Sequence, residues 1–441
     1  GSYTYDGKYN ITGTVRYDGS NRLGESNKAR WLPTWSVAGS WNVEQEGFMR
    51  DVIWVDYLTV RATYGLTASM GPATNSTIVL RNVNTNRPYF TEVESVIQLA
   101  NLENSELTWE KLYTTNVGLD ASLFNRRMNV SVDVYQRTSF DLISIIKTSG
   151  IGGEAYKAAN YADMESKGIE ILVGGEIFRK KDWSWRTNLT FGYNTTLITN
   201  VKNIPNIFSL VVAEGGNKEG YPVRSLFSID FKGLDPFTGA PLFVNQEGKT
   251  SGAVYLQDEE TSHLVHEGPV DPTITGGFSN TFRYKNLSLN VFFTYQAGNK
   301  IRLNPAFSTS YSDLDAMPKE FYDRWVLQGD QNLTNVPSIL DIMEQARQGG
   351  AYPYNNYNYS TERVAKGDFV RLKAVSVTYT AGNNLLKLTG LNSLSIGLAA
   401  TNMWLVYADK RLKGQDPEFF NSGGVAQPVQ KQLTLSLKVG L

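Results

Sequence analysis

Polar and apolar residues alternate at period two through most of the chain, while helical periodicity is scarce, and this predicts strands. From Met128, the residues Met128, Val130, Val132 and Val134 share one face and Asn129, Ser131, Asp133 and Tyr135 the other. Trp183, Trp185, Leu189, Phe191 and Tyr193 lie opposite Ser184, Arg186, Asn188, Thr190 and Asn194. The pattern returns in Leu287, Leu289, Val291, Phe293 and Tyr295, and again in Leu433, Leu435, Leu437, Val439 and Leu441. Soluble strands usually run about 5–6 residues. Several of these keep alternating for roughly 10, the length a tilted strand needs to cross a bilayer. Aromatic residues gather near strand ends (Tyr3 and Tyr5, Trp35 and Trp41, Trp54 and Tyr57, Trp183 and Trp185, Trp404 and Tyr407), as interfacial girdles would. Taken alone, the same aromatics would also suit the core of a β-sandwich.

The connections decide between the two. Strands are expected near 10–18, 34–46, 53–66, 108–123, 128–142, 163–177, 183–199, 273–284, 287–301, 368–379, 394–405 and 431–441, with a partial one at Tyr3-Thr4-Tyr5. Short links alternate with long ones, the long ones spanning 19–33, 67–107, 147–161, 200–272, 302–367 and 408–428. Outer-membrane barrels have short periplasmic turns and long extracellular loops, so the fold class is all-β: an antiparallel up-and-down transmembrane β-barrel. The parity ends the last strand at the periplasm and turns the long loops outward. A wall of about 12–13 strands would be partial, because an edge opening in mid-pattern leaves backbone donors bare in lipid.

Composition adds exclusions. With 441 residues, 41% hydrophobic and 12% aromatic, the chain can bury a large apolar surface. A net charge of -1 gives no basic excess for nucleic acid. The absence of cysteine removes disulfides, zinc thiolates and thiol catalysis. No window approaches the roughly 18 apolar residues of a spanning helix, so any spanning elements are strands. Gly1-Ser2-Tyr3-Thr4-Tyr5 has neither the basic nor the apolar region of a signal peptide, and the start reads as processed, engineered or truncated.

Several words in the loops and turns resemble those of SusC/RagA-like outer-membrane proteins. They are Arg16-Tyr17-Asp18-Gly19-Ser20-Asn21-Arg22-Leu23-Gly24 with Pro33-Thr34-Trp35-Ser36, the strand 58–66, and Leu107-Thr108-Trp109-Glu110-Lys111 running into Thr115-Asn116-Val117-Gly118-Leu119-Asp120. Lys167-Gly168-Ile169-Glu170, Asp271-Pro272-Thr273 with Gly276-Gly277-Phe278, Gly298-Asn299-Lys300, Arg324-Trp325, Phe369-Val370-Arg371-Leu372 and Asp416-Pro417-Glu418 continue the series across the chain. Ser166 stands where the family usually has Asn, and Leu441 ends the chain where such barrels commonly finish on an aromatic. The resemblance implies a barrel of about 22 strands holding an N-terminal plug. This chain would be its C-terminal portion, without the TonB box, the plug or the early strands.

Candidate sites are few. His263 and His266, beside Asp258, Glu259, Glu260 and Glu267, would ligate a metal only if their loop turned helical; a solvated loop tip is the simpler reading, and no metal site or cofactor is assigned. They are the only two histidines, so a Ser–His catalytic pair has little support and no enzyme is expected. On the outer loops Tyr352, Tyr354, Tyr357 and Tyr359 stand among Asn355, Asn356 and Asn358, flat rings and amides suited to stacking on sugars or holding extended peptide. Trp325 is a further ligand candidate. The competing reading is a loop that packs on its neighbours or on a partner, and Arg324, Trp325 and Asp416-Pro417-Glu418 with Phe419 and Phe420 read first as loop-shaping. Arg186, Asn188, Asn290 and Gln296 are candidates for the solute path or for solvating a plug.

The resemblance implies TonB-dependent import across a bacterial outer membrane of a nutrient too large for passive pores. An oligosaccharide or other glycan is favoured and an oligopeptide stays open. The implied partners are a SusD-like lipoprotein lid on the outer loops, the TonB complex acting through the N-terminal part, and the lipid bilayer; a dimer of importer–lid pairs is left open, and nucleic acid is not a partner. A passive channel and a surface adhesin are the alternatives.

Overall fold

The computed structural model describes residues 1–24, 26–71, 76–86, 93–101, 103–149, 156–307, 317–347, 353–419 and 430–440. The chain forms two compact units, Gly1–Ile171 with Asn194–Ile204, and Leu172–Tyr193 with Pro205–Leu441. In the first, β1 (Ser2–Tyr5), β2 (Tyr9–Gly19), β3 (Trp31–Asn42), β4 (Val55–Ser69), β5 (Glu110–Leu123) and β6 (Met128–Lys147) are sheet neighbours in chain order. The hairpin of β7 (Tyr156–Arg179) and β8 (Trp183–Val201) gives its loop-side half to this unit and its turn-side half to the other. The second unit continues with β9 (Ile274–Tyr284), β10 (Leu287–Ala297), β11 (Phe369–Thr380), β12 (Ser393–Ala408) and β13 (Gln432–Gly440), again in chain order. Every pair with a described register is antiparallel, the up-and-down topology that the alternation predicts.

Register shows what the alternation is for. In the second unit Trp183, Tyr284, Leu287, Tyr379, Ile396 and Leu437 stand opposite one another across six strands. One step further from the turns comes a second apolar row, Trp185, Phe282, Leu289, Val377, Leu398 and Leu435. On the opposite face the corresponding row is Ser184, Arg283, Ser288, Thr378, Gly397 and Ser436. The apolar face is also open: Leu433, Leu435 and Leu437 are 71%, 73% and 65% exposed. Burying one such side chain is worth about 1.5–3 kcal/mol, so a sheet in water would turn this face inward. Lipid is the solvent that matches it. Among the described residues no helix is long and apolar enough to cross a membrane.

The turn-side ends are tight. Asp6 and Gly7, with φ of 52° and 65°, lie in the three-residue link between Tyr5 and Tyr9, which Lys8 N closes by donating to Tyr5 O at 3.0 Å. Glu46 ties down the neighbouring turn: its carboxylate accepts from Tyr9 Oη at 2.6 Å, Trp41 Nε1 at 3.1 Å and Lys8 Nζ at 3.3 Å. These bonds, that of Tyr9 first, hold its pKa below the usual carboxylate range.

The long links differ from the sequence expectation. β6 and β7 run 20 and 24 residues, so the link expected at 147–161 is shorter than its pattern suggests. The stretch 67–107 contains a hairpin of Val79–Asn86 with Val93–Asn101. Its strands are rich in asparagine (Asn82, Asn84 and Asn86), which hides them from a strand-propensity reading.

Candidate functional site

In the second unit the described residues of the links 205–273 and 298–368 fold together around a core of their own. Ile207, Leu210, Val211, Phe227, Ile229, Phe243, Val254, Phe307, Leu340, Tyr354 and Tyr357 are all buried there. Arg302 clasps it, fully buried: Nε donates to Val211 O at 3.2 Å, Nη1 to Ser360 O at 2.7 Å, and Nη2 to Phe227 O at 2.6 Å and Ser228 Oγ at 3.2 Å. Burial pulls its pKa down to about 9, which leaves it charged at neutral pH.

Most of the tyrosine and asparagine candidates belong to this core. Tyr354 stacks on Phe307 with ring centroids 4.7 Å apart; its hydroxyl accepts from Leu340 N at 2.6 Å and donates to Ser338 O at 2.9 Å. Asn358 accepts from Ala306 N at 2.8 Å and donates to Phe307 O at 2.7 Å, while Asn356 Nδ2 donates to Val254 O at 3.2 Å. Tyr357 is 2% exposed and burial drives its phenol pKa upward. Trp325 is buried against Gly239, where a Cβ would sit 2.5 Å from the indole, and its Nε1 donates to Gln331 Oε1 at 3.3 Å. In this arrangement Tyr354, Asn356, Tyr357 and Trp325 hold loops together. Tyr352 lies outside the described residues.

Asn355 and Tyr359 remain at an opening. They line a cavity of about 270 Å³ with Glu214, Arg302, Asn304 and Asn358. A larger cavity, of about 600 Å³, is lined by four carboxylates, Glu320, Asp323, Asp330 and Glu362, and four cations, Arg324, Arg363, Arg411 and Lys413. Glu320 is gripped by Arg363 Nη1 at 2.6 Å and Lys413 Nζ at 2.8 Å. Burial pushes its pKa up, but the Lys413 hydrogen bond and the Arg363 charge outweigh that and bring it below the ordinary range. Sequence reasoning missed this cavity, because its charges come from segments separated by up to 93 residues, as in the Lys413–Glu320 bond.

The polar sheet face carries the remaining candidates. Arg186, Asn188, Asn290 and Gln296 share it: Arg186 pairs through Thr281 with Asn290, Asn188 stands opposite Ser279, and Gln296 opposite Thr275. Arg186 Nη2 meets Glu176 Oε1 at 3.3 Å, and Asn290 Nδ2 donates to Thr281 Oγ1 at 3.2 Å. In the first unit the polar face has a charge network that the sequence reading lacked. Arg61 reaches Asp120 through Nε and Asp133 through Nη2, both at 2.7 Å, over Gly118, which a Cβ would bring within 2.7 Å of the guanidinium carbon.

His266 Nε2 stands 3.2 Å from Ser225 Oγ, but that hydroxyl is fully buried and donates to Pro222 O at 2.6 Å, so it is closed to a substrate. Burial lowers the pKa of His263 and of His266. Among the described residues no group of three or more His, Asp or Glu side chains is arranged to hold a metal.

An exposed apolar face, a polar opposite face, short turns on one side and folded loops on the other define the wall of an outer-membrane β-barrel. Residues 1–259 match the family described as TonB dependent receptor-like, beta-barrel, and the chain belongs to that family. It is 26% identical, over 97% of its length, to TonB-dependent receptor P39 of Formosa agariphila, and 23% identical over its full length to TonB-dependent receptor SusC of Bacteroides thetaiotaomicron. It covers 43% of each of those relatives, less than half their length. Among solved structures, the RagAB peptide transporter superposes with a TM-score of 0.80 at 25% identity, over 99% of this chain and 46% of the transporter's. The chain is of SusC/RagA type, and its place is the bacterial outer membrane.

Proposed function

We propose that the chain is the wall and outer vestibule of a TonB-dependent importer of large nutrients, working with a SusD-like lipoprotein lid and with a plug supplied by the rest of the protein. The observation that carries this is the pairing, in one chain, of a lipid-facing wall with long loops that fold into a cored body holding polar cavities. A passive pore has no need of such a body, whereas an importer must bind its ligand before the plug yields. An oligosaccharide is the first substrate reading, supported by the smaller cavity, where Tyr359 offers a ring and Asn304 and Asn355 offer amide groups. The balanced charges of the larger cavity favour a second reading, an oligopeptide with both termini charged. The test is uptake by cells carrying the full-length protein, with and without TonB and the proton gradient, using labelled oligosaccharides and peptides. Uptake of either class that stops without TonB supports import. Uptake that persists indicates a passive channel, and binding without uptake an adhesin.

A further inference from the structure

Three short turns of the second unit lie side by side. Lys285 N donates to Asp182 O at 2.8 Å; in the next pair Thr380 N donates to Asn286 O at 2.9 Å and Asn286 Nδ2 to Thr380 O at 2.8 Å. These turns carry Lys180, Lys181, Lys285 and Lys387, all exposed. Among the described residues none of the four forms an ion pair, and the carboxylate within the turns is that of Asp182. The nearby Glu176 is engaged by Arg186 and Arg179.

The lysines border the outermost apolar row, Trp183, Tyr284, Leu287, Tyr379, Ile396 and Leu437. Trp183 and Tyr284 have ring centroids 4.3 Å apart, and Lys285 Nζ sits 5.3 Å from the Tyr284 ring. Such rings mark the headgroup level of a bilayer, so the ammonium groups stand at phosphate depth. The last turn contains a short helix, Asn383–Thr389, which exposes Leu385 and Leu388 one turn apart beside Lys387. Leu388, 83% exposed, suits the acyl boundary just inside the headgroups, and Leu385, 36% exposed, is partly open beside it.

We propose that these three turns bind the anionic headgroup of a phospholipid in the leaflet on the short-turn side. The occupant follows from the charge: three turns with four ammonium groups that, among the described residues, form no ion pair, and one carboxylate, continuous with a surface that already faces acyl chains. A lysine ammonium binds a phosphate diester as a point charge and needs no fixed fork geometry, in keeping with side chains held only at their stems. The selection is for headgroup charge and is independent of what the barrel carries.

The experiment is native mass spectrometry of the full-length protein released from nanodiscs of phosphatidylglycerol mixed with phosphatidylethanolamine. A lysine at an anionic surface is worth about a fivefold gain in affinity, so phosphatidylglycerol should be enriched among retained lipids well above its share in the disc. The variant K180Q/K181Q/K285Q/K387Q should lose that enrichment, and K180R/K181R/K285R/K387R should keep it. Equal retention of both lipids by the unmodified protein overturns the proposal whether or not any variant folds. Enrichment that survives the glutamine variant also overturns it, as does displacement of the retained lipid by millimolar inorganic phosphate, which would mark a free-anion site.

Discussion

Replacing Arg302 should unfold the loop body and leave the wall standing. Its guanidinium is the donor to three buried carbonyls, Val211 O, Phe227 O and Ser360 O, and to Ser228 Oγ. Each carbonyl left without a donor costs about 1–3 kcal/mol. Against this, the variant no longer bears the desolvation of a buried cation, itself several kcal/mol. The net loss for Arg302→Ala should be about 2–5 kcal/mol, or about thirtyfold to several thousandfold in local opening. Arg302→Met restores packing without charge and should recover part of the loss. Arg302→Lys keeps a buried charge without the planar fork and should not. The assay is hydrogen exchange on the full-length protein in detergent, read in peptides covering 207–211, 225–229 and 357–361, with peptides of β9 and β10 as the internal reference. Unchanged protection in the alanine variant would refute the clasp, and a silent lysine variant would show that charge alone, rather than the set of hydrogen bonds, holds the loops.

Three further outcomes test other parts of the structure. Leu435→Arg, on the exposed apolar face, should cost up to about 2–4 kcal/mol in refolding into lipid vesicles, while Thr434→Arg on the opposite face should cost little; equal effects would contradict the assignment of faces. Gly118→Val should lower the unfolding free energy by about 1–3 kcal/mol, read as a lower urea midpoint, because its Cβ would lie 2.7 Å from Arg61 Cζ and 2.8 Å from Asp133 Oδ1; no change would mean that the Arg61 network has room to move. Glu46 has a depressed pKa, so its contribution to turn stability is present above its unfolded value and is lost as pH falls through the lower folded one; Trp41 emission should titrate on acidification and stop doing so in Glu46→Gln.

The wall was legible because its information is local. A period of two fixes which residues share a face, and a turn of two to four residues fixes the register that follows, so Met128 opposite Leu123 and Leu287 opposite Tyr284 need nothing from afar. The Arg61 network was half legible for the same reason. The turn between β5 and β6 places Gly118 opposite Asp133, but β4 and β5 are separated by residues 70–109, and no local rule carries Arg61 across that gap to Gly118. The small cavity was legible in composition, through Asn355 and Tyr359, and not in place.

The loop body shows why composition misled. A run of tyrosines and asparagines suits a sugar site, since rings stack and amides bond hydroxyls. The same residues suit a core assembled from loops. Such a core is built from strands and helices of six residues or fewer, such as Ser225–Ser228, Pro241–Val244 and Pro353–Asn358, so amides must close carbonyls and N–H groups that longer elements would have paired, and rings must supply area that long aliphatic strands would have given. Asn358 serving both Ala306 N and Phe307 O, and Asn356 serving Val254 O from 102 residues away, are of that kind. The two uses are separated by where the polar atoms find partners. By that measure Tyr354 and Asn358 are committed to the loops, while Asn355 and Tyr359 line the small cavity and charged side chains line the large one.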